Sequence, residues 1–472
     1  MMELLAVAGP TVAATTSYTL MTFTDKWLVS RLGAEFVGAQ GNGGLAAWVP
    51  QSICYGILGV VNTFVAQHLG AGYARRGPAY AWNGAWIAAI YWLCILVPYS
   101  FFLPKLLSTT GIDPWQADQA VIYGRILVLG SLLNMLCRAF ENFFYGMHRA
   151  TVVLVAGVTA NVINLFASAV LVFGNGPVRE DLGLFGRVCH AIASSFGISP
   201  MGIAGSAYGT VIATACELAI PLAIFLSART HRELGTRDSW RPSRARIVEL
   251  VKLGWPGGVM FGNEMICWAV FMVYLVSHFG QTHASAGWIA HQYMSLSFMP
   301  AVGISVATTA IVGKYCGMGK HDVAAARFWL ALRVAAVYMG VCGVLFVVFR
   351  RPLVMFFVEA GTPEAQVEQL VSLGSMMLIA TACFQLFDAA AMTTSGALRG
   401  AGDTVVPGVV TIVLSWTVIV GGGLLMVRFA PGLESVGPWI AAAAYIALLC
   451  VALVARFVSG SWRKIRLVER EA

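Results

Sequence analysis

The most informative side chains of this 472-residue sequence are ionisable carboxyl groups that lie inside long apolar stretches. Asp25, Glu264 and Asp388 each lie in a stretch long enough to cross a bilayer. An ionised side chain at mid-bilayer costs roughly 2.5–3.5 kcal/mol even on insertion scales, so these acids are expected to face a cavity or a partner. A bound proton or cation offsets that cost. We therefore predict that the three acids take up H⁺ or Na⁺ reversibly.

Amides and hydroxyls accompany the first of these acids. Asn161, Asn164 and Ser168 follow one another at i, i+3 and i+7, so they share one face of a helix. Thr210 lies in the next apolar stretch. A hard cation prefers several oxygen ligands. The candidate ligands are Asp25, Asn164, Ser168 and Thr210. Hydrogen bonding between helices is the other use of such side chains.

The composition requires that these residues be positioned by membrane-spanning helices. Hydrophobic residues make up 58% of the chain and charged residues 11%, and the mean hydropathy is +0.76. A soluble domain carries roughly 25% charged residues. Strands of a membrane barrel would alternate over about ten residues, whereas the apolar stretches here are long and continuous. We expect an all-α membrane protein.

Reading between the charged breaks predicts about twelve spans, with boundaries good to about three residues. They lie near residues 4–29, 37–65, 80–103, 117–138, 151–173, 201–227, 249–278, 286–313, 326–349, 366–393, 405–428 and 436–458.

The charges outside the spans indicate topology. The net charge is +8, and Lys and Arg gather on the side of the spans that holds both termini. This bias is typical of cytoplasmic connections, so we expect a multi-pass plasma (inner) membrane protein with both termini in the cytoplasm and no nucleic-acid partner. A basic region does not precede the first span, which is therefore read as retained. The ten Cys form no C-x-x-C pair, so neither a disulfide nor a cofactor is expected.

The two halves of the chain repeat one another. Three pairs of segments match at nearly constant spacing: Glu3–Pro10 with Glu249–Pro256, Phe64–Gly72 with Ile311–Gly319, and Tyr145–Thr151 with Ser395–Thr404. Six spans separate the copies, and because six is even, both halves face the same way. This pattern predicts two six-helix bundles related by a pseudo-twofold axis along the membrane normal, a transporter architecture.

The predicted domains follow from the repeat. They are an N-terminal lobe over residues 1–228, a basic cytoplasmic linker over 229–246 that lets the lobes rock, and a C-terminal lobe with a tail over 247–472. An outer connection, 174–200, contains an amphipathic stretch, Val188–Phe196, where we expect a short surface helix.

With the repeat and the acids in view, the sequence resembles the multidrug and toxic compound extrusion (MATE) family over nearly its whole length. The resemblance rests on Thr24–Glu35, Phe64–Gly72 and Gly396–Thr404, together with the duplicated six-span layout. It implies two bundles in a V shape that export organic cations in exchange for Na⁺ or H⁺.

The resemblance also implies roles for single residues. Asp25, Asn164 and Thr210 match the family's amino-lobe cation site, and Glu264 and Asp388 match acids of the seventh and tenth helices in bacterial members. Three features depart from the pattern. Ser168 stands where members usually carry Asn or Asp, Phe384 stands where a Tyr is common, and the connection 174–200 is longer than usual.

An apolar cavity is expected to receive the substrate, because aromatic faces attract organic cations. The candidate lining residues are Trp48, Tyr55, Phe261, Trp268 and Phe384. The expected partners are a small organic cation and the lipid bilayer, and we expect a monomer.

Two other functions are open to a chain of this kind. A flippase for a lipid-linked or other anionic precursor would need a basic cavity, and the orientation of Arg125, Arg138 and Arg333 discriminates this alternative. An intramembrane enzyme is disfavoured, because the sequence contains no H-E-x-x-H, G-x-S-x-G or P-loop motif.

Overall fold

Helices account for the architecture of the protein. The computed structural model describes residues 2–109, 112–358 and 363–468, and it contains no strand within these ranges. Twelve helical segments in the described part of the chain are long and apolar enough to cross a membrane. The prediction of an all-α protein with about twelve spans is confirmed.

The helices are numbered in chain order. Their bounds are α1 Met2–Ser30, α2 Ala34–Gly70, α3 Gly77–Tyr91, α4 Val97–Ser108, α5 Pro114–Gly146, α6 Ala150–Phe173, α7 Gly183–Ser195, α8 Ile203–Leu226, α9 Ala228–Leu234, α10 Arg244–Val270, α11 Gln281–Gly317, α12 His321–Val348, α13 Arg350–Met355, α14 Glu364–Ala401, α15 Val405–Leu414, α16 Gly423–Phe429 and α17 Val436–Val458. Three π-helical turns interrupt spans, at Trp92–Leu96, Phe271–Val276 and Ser415–Gly422.

Several helices extend beyond the predicted boundaries, and the expected accuracy of about three residues is wrong at these ends. The sequence predicts that the fourth span ends at residue 138 and the tenth at 393, but α5 continues to Gly146 and α14 to Ala401. The charged residues Arg138 and Arg399 suggest an early end. Backbone hydrogen bonding nevertheless continues past them, until left-handed Gly402 ends α14.

The chain forms two compact units. The N-terminal unit comprises residues 13–65, 73–109 and 112–258, and the C-terminal unit comprises 2–12, 66–72, 259–358 and 363–468. These units differ from the sequence halves, because α1, α2 and α10 each contribute residues to both. The lobe boundaries at 228 and 247 stay a prediction.

The predicted linker packs within the N-terminal unit. Residues 228–234 form α9, and the chain that follows is held by side chains of α3. The indole N–H groups of Trp82 and Trp86 donate to the carbonyls of Thr236 and Trp240 at 2.7 and 2.8 Å. Asn83 accepts from the Ser243 N–H at 2.7 Å. Residues 228–243 are therefore held against α3, and this segment is called the docked strap below.

Helices α6 and α8 lie in unusually close contact. Gly205 and Gly209 of α8 face α6, and a Cβ at Gly209 would lie 2.7 Å from Ser168 Cα. Small residues four apart permit such backbone approach between membrane helices. The contact fixes the position of Thr210 on α8 relative to Asn164 and Ser168 on α6.

The connection 174–200 contains the expected short helix. It begins earlier than Val188, because α7 runs over Gly183–Ser195. Its buried residues Gly186, Cys189 and Ala193 share one face at i, i+3 and i+7, and Cys189 and Ala193 join a small apolar core with α6.

Candidate cation site and acidic residues

The four predicted cation ligands meet in the N-terminal unit. Asp25 on α1 is 5% exposed and accepts three hydrogen bonds. Thr210 Oγ1 and Asn164 Nδ2 donate to Asp25 Oδ2 at 2.9 and 3.4 Å, and Ser168 Oγ donates to Oδ1 at 3.1 Å. Hydrogen bonds to a charged group contribute about 1.5–3 kcal/mol each, so the three donors offset much of the cost of burying the carboxylate.

One oxygen of the cluster is left without a hydrogen bond. Asn164 is fully buried, its Nδ2 also donates to Ser168 Oγ at 3.3 Å, and its Oδ1 has no hydrogen-bond partner. A buried carbonyl oxygen without a partner is costly, by about 1–3 kcal/mol. Together with the Asp25 carboxylate and the hydroxyls of Ser168 and Thr210, it completes an oxygen-rich set suited to a hard cation.

The acids of the C-terminal unit interact with each other. Tyr445 Oη on α17 donates to Glu264 Oε1 on α10 at 3.3 Å. Asp388 on α14 interacts electrostatically with Glu264 and Tyr445. Both acids are half-buried. The structure therefore places the two acids in one polar cluster, and Tyr445 is a member that the sequence analysis missed.

Asn263, next to Glu264, holds the π-helical turn after α15. Its Nδ2 donates to Ser415 Oγ and its Oδ1 accepts from Trp416 Nε1, both at 2.7 Å. π-helical turns are frequent at functional sites, where they redirect side chains. The amide connects the backbone beside Glu264 to this irregular segment.

The predicted aromatic residues have different surroundings. In the N-terminal unit, Trp48 and Tyr55 pack edge to face at 5.1 Å, and the Arg138 guanidinium lies 4.8 Å from the Tyr55 ring centre. In the C-terminal unit, Phe261 and Trp268 are half-buried. Phe384 is 1% exposed within the apolar core, so it packs rather than lining an open surface. The lining role of the others stays a prediction.

Two of the three arginines that test the flippase alternative bind protein groups, and the third, Arg333, is exposed. Arg125 Nε donates to the Ser100 carbonyl at 3.3 Å. Arg138 pairs with Glu141 at 3.3 Å in addition to covering Tyr55. Neither guanidinium is therefore arranged as an open anion site.

Two further acids, one buried and one half-buried, were missed by the sequence analysis. Glu141 on α5 lies beyond the predicted end of the fourth span. Glu217 on α8 lies inside the sixth predicted span, so the count of three acids was wrong. Their carboxylate oxygens and the Cys137 sulfur lie within 4.8 Å of one another. The signal for Glu217 was present in the sequence, at i+7 from Thr210.

The chain is similar to known proteins over nearly its whole length. The MatE family model matches residues 10–170 and 263–422. A probable multidrug resistance protein, NorM, of Pseudomonas putida is 27% identical over 98% of this chain and 95% of its own length.

Two solved structures have the same fold. One is a MOP superfamily transporter from Pyrococcus furiosus, described as having a binding pocket of reverse polarity that suggests a different function. Its TM-score is 0.85 at 18% identity, over 98% of this chain and 96% of that one. The other is a MATE protein in complex with MaL6, with a TM-score of 0.84 at 17% identity over 98% and 97% of the two chains.

Proposed function

Because the chain belongs to the MATE family, we propose that it is a secondary antiporter that exports amphipathic organic cations in exchange for Na⁺ or H⁺. It works in the inner membrane with both termini in the cytoplasm, as a monomer and without a cofactor. The observation that carries the proposal is the Asp25 cluster, a buried carboxylate surrounded by reorientable hydroxyls and an amide oxygen without a partner.

The Asp25 cluster suits exchange because its donors can reverse their role. Thr210 and Ser168 now donate to the carboxylate, and the same hydroxyl oxygens become acceptors when the O–H groups rotate. Na⁺ would then contact Asp25, the Asn164 carbonyl oxygen and Thr210. A proton bound to Asp25 would instead neutralise the charge of its carboxylate. Either ligand changes the hydrogen bonds that connect α1, α6 and α8.

The acids of the C-terminal unit are assigned to the substrate. Glu264 and Asp388 provide negative charge, and Trp268 provides an aromatic face on the same helix as Glu264. A desolvated cation over an aromatic ring gains about 2 kcal/mol, and a carboxylate adds Coulomb attraction. Two acids in one cluster favour a cationic substrate over an anionic one.

The experiment measures efflux of a fluorescent organic cation such as ethidium from proteoliposomes, under an imposed Na⁺ or pH gradient. Asp25→Asn is expected to bind ethidium normally while losing roughly tenfold or more in gradient-driven efflux, as expected from losing more than about 1.4 kcal/mol of coupling. Glu264→Gln and Asp388→Asn are expected to weaken ethidium binding itself.

Glu368→Gln is the matched control, because Glu368 is an exposed acid on the same helix as Asp388. It should behave as the wild type. Unchanged efflux and unchanged ethidium binding in all three acid variants would reject the assignment.

A further inference from the structure

A continuous polar stripe runs through the N-terminal unit from the Asp25 cluster toward the end of α8 at which the docked strap begins. On α6 its members are Gly157, Asn161, Asn164 and Ser168, which follow at i, i+4, i+7 and i+11. On α8, Thr210, Thr214 and Glu217 follow at i, i+4 and i+7. Both series keep to one helix face. Seven residues of helix span roughly 10 Å, so Glu217 lies about that far along α8 from Thr210.

Asn161 of this stripe is hydrogen-bonded to α1. Asn161 Nδ2 donates to the Ser17 carbonyl at 2.8 Å and also contacts the Ser17 hydroxyl. Asn161 Oδ1, like Asn164 Oδ1, is buried without a hydrogen-bond partner. These two amide oxygens lie one helical turn apart, and a water or a hydronium could donate hydrogen bonds to them.

The next step is the approach of Glu217 and Ser17 to Gly157. A Cβ at this buried glycine would meet only two atoms of other helices within 4 Å, Glu217 Oε1 at 3.6 Å and Ser17 Oγ at 3.9 Å. These two oxygens are the polar partners that a water beside Gly157 would need in order to bridge them. Gly157 therefore joins the Ser17–Asn161 pair to Glu217.

Beyond Gly157 lies a pair of carboxyl groups that share one cation. Glu217 interacts with Glu141 and with Arg138, which forms the 3.3 Å ion pair with Glu141. The other ionisable groups that face the pair are phenols and a thiol, which are neutral near pH 7. They are Tyr18, Tyr55, Tyr145 and Cys137. Two carboxylates and one guanidinium leave one negative charge in an apolar bundle, and one proton neutralises it.

We propose that Glu217, paired with Glu141 and Arg138, is a second proton-binding group of this transporter, and that Ser17, Asn161 and a water beside Gly157 connect it to Asp25. This inference rests on the proposed function and extends it from a single ion site to two. A proton bound at Glu217 neutralises the single negative charge that Glu141, Glu217 and Arg138 leave, and its release to water restores that charge.

Three variants separate the proton-binding role from a structural one. Glu217→Gln removes the titrating group, and Glu217→Asp keeps a carboxyl in case the amide variant fails to fold. Gly157→Ala leaves every ionisable group in place and fills the bridging space. Gly77→Ala is the matched control, because it adds a methyl group at a buried glycine whose neighbours Val65 and Phe143 lie at 3.5 Å or more.

The first measurement is the infrared difference spectrum of the purified full chain between acidic and alkaline pH. The wild type should show the C=O stretch of a protonated carboxyl that vanishes with rising pH. Glu217→Gln should lose the component of this band that comes from Glu217, and Asp25→Asn should retain that component. The second measurement is efflux driven by a pH gradient. Glu217→Gln should lose about 10²-fold, the lower end for a positioned proton-transfer group. Gly157→Ala should lose roughly tenfold while keeping the infrared band, and Gly77→Ala should match the wild type.

The outcomes distinguish the two proposals. If the wild type shows no gradient-driven efflux and Asp25→Asn changes nothing, the proposed function fails irrespective of Glu217. If Asp25 governs efflux but Glu217→Gln keeps the wild-type rate, pH profile and infrared band, this inference is overturned and the proposed function stands. Efflux that depends on Na⁺ alone, with no titrating band from Glu217, overturns it as well.

Discussion

The contact between α6 and α8 makes Gly209→Ala a sensitive probe of the cation site. A Cβ at Gly209 would lie 2.7 Å from Ser168 Cα, whereas ordinary contacts of a Cβ lie at 3.4–4 Å. The two helices must therefore separate by roughly 1 Å. Asp25 is bonded to Ser168 on α6 at 3.1 Å and to Thr210 on α8 at 2.9 Å, so at least one of these hydrogen bonds is expected to break.

The magnitude follows from two opposing effects. Overpacking lowers the free energy of unfolding by about 1–3 kcal/mol, and the better helix propensity of Ala over Gly raises it by up to about 1 kcal/mol. We expect a net loss of about 1–2 kcal/mol in the free energy of unfolding. For a unit of roughly 200 residues this lowers the melting temperature by about 2–8 °C. Gradient-driven efflux is expected to fall in parallel, because the bonds that hold Asp25 are weakened.

The assay is thermal unfolding of the purified protein, followed by efflux from proteoliposomes. Gly44→Ala on α2 is the control, since its nearest neighbour is Tyr123 Cε1 at 3.7 Å. It should melt at or slightly above the wild type. If Gly209→Ala melts like Gly44→Ala and transports at the wild-type rate, the contact between α6 and α8 does not fix the Asp25 cluster.

Three further outcomes are expected. Thr210→Val keeps the shape of the side chain but removes the 2.9 Å hydrogen bond to Asp25, so gradient-driven efflux should fall by about 10-fold or more, for a loss of about 1.5–3 kcal/mol, and the melting temperature should fall by several degrees. Tyr445→Phe removes the donor to Glu264, which should change the ethidium dissociation constant several-fold and leave the Na⁺ or H⁺ response unchanged. The hydrogen bond from Arg149 lowers the pKa of Glu233 on α9. The stabilising effect of this pair is therefore complete above the ordinary glutamate pKa of 4.5 and is lost as the pH falls through the lower pKa of the folded state. Glu233→Gln should reduce the difference in melting temperature between pH 7 and pH 3, and an undiminished difference would count against the pairing.

The sequence is sufficient to predict the spans and the N-terminal cation cluster, for a physical reason. Apolar length predicts membrane helices directly, and helix periodicity by itself places Asn164 and Ser168 on one face. The resemblance to MATE proteins then indicates that Asp25 and Thr210 lie at the same level. Close approach of α6 and α8 completes the cluster, and the glycines that permit it are visible in the sequence at Gly205 and Gly209.

Other features depend on tertiary contacts that periodicity does not encode. Tyr445 reaches Glu264 from the last helix, and no motif connects the two. The strap is held by tryptophan N–H groups that donate to backbone carbonyls, and these contacts leave no signature at Thr236 or Trp240. Glu141 is missed for a simpler reason, since a charged residue such as Arg138 normally marks the end of a span. The structure pairs that arginine with the acid three residues later.

The two acidic clusters are built on helices of different regularity, and this difference bears on coupling. The Asp25 cluster lies on α6 and α8, which are α-helical throughout and in direct backbone contact. Glu264 lies on α10, which passes into the π-helical turn Phe271–Val276, and its neighbour Asn263 holds a second such turn after α15. π-helical turns concentrate at functional positions where the hydrogen-bond ladder changes partner. A small, hard ion requires fixed oxygen distances, whereas organic cations of varied shape require a surface that can adjust. Under the proposed function, the regular helix pair therefore suits the ion, and the interrupted helices suit the substrate.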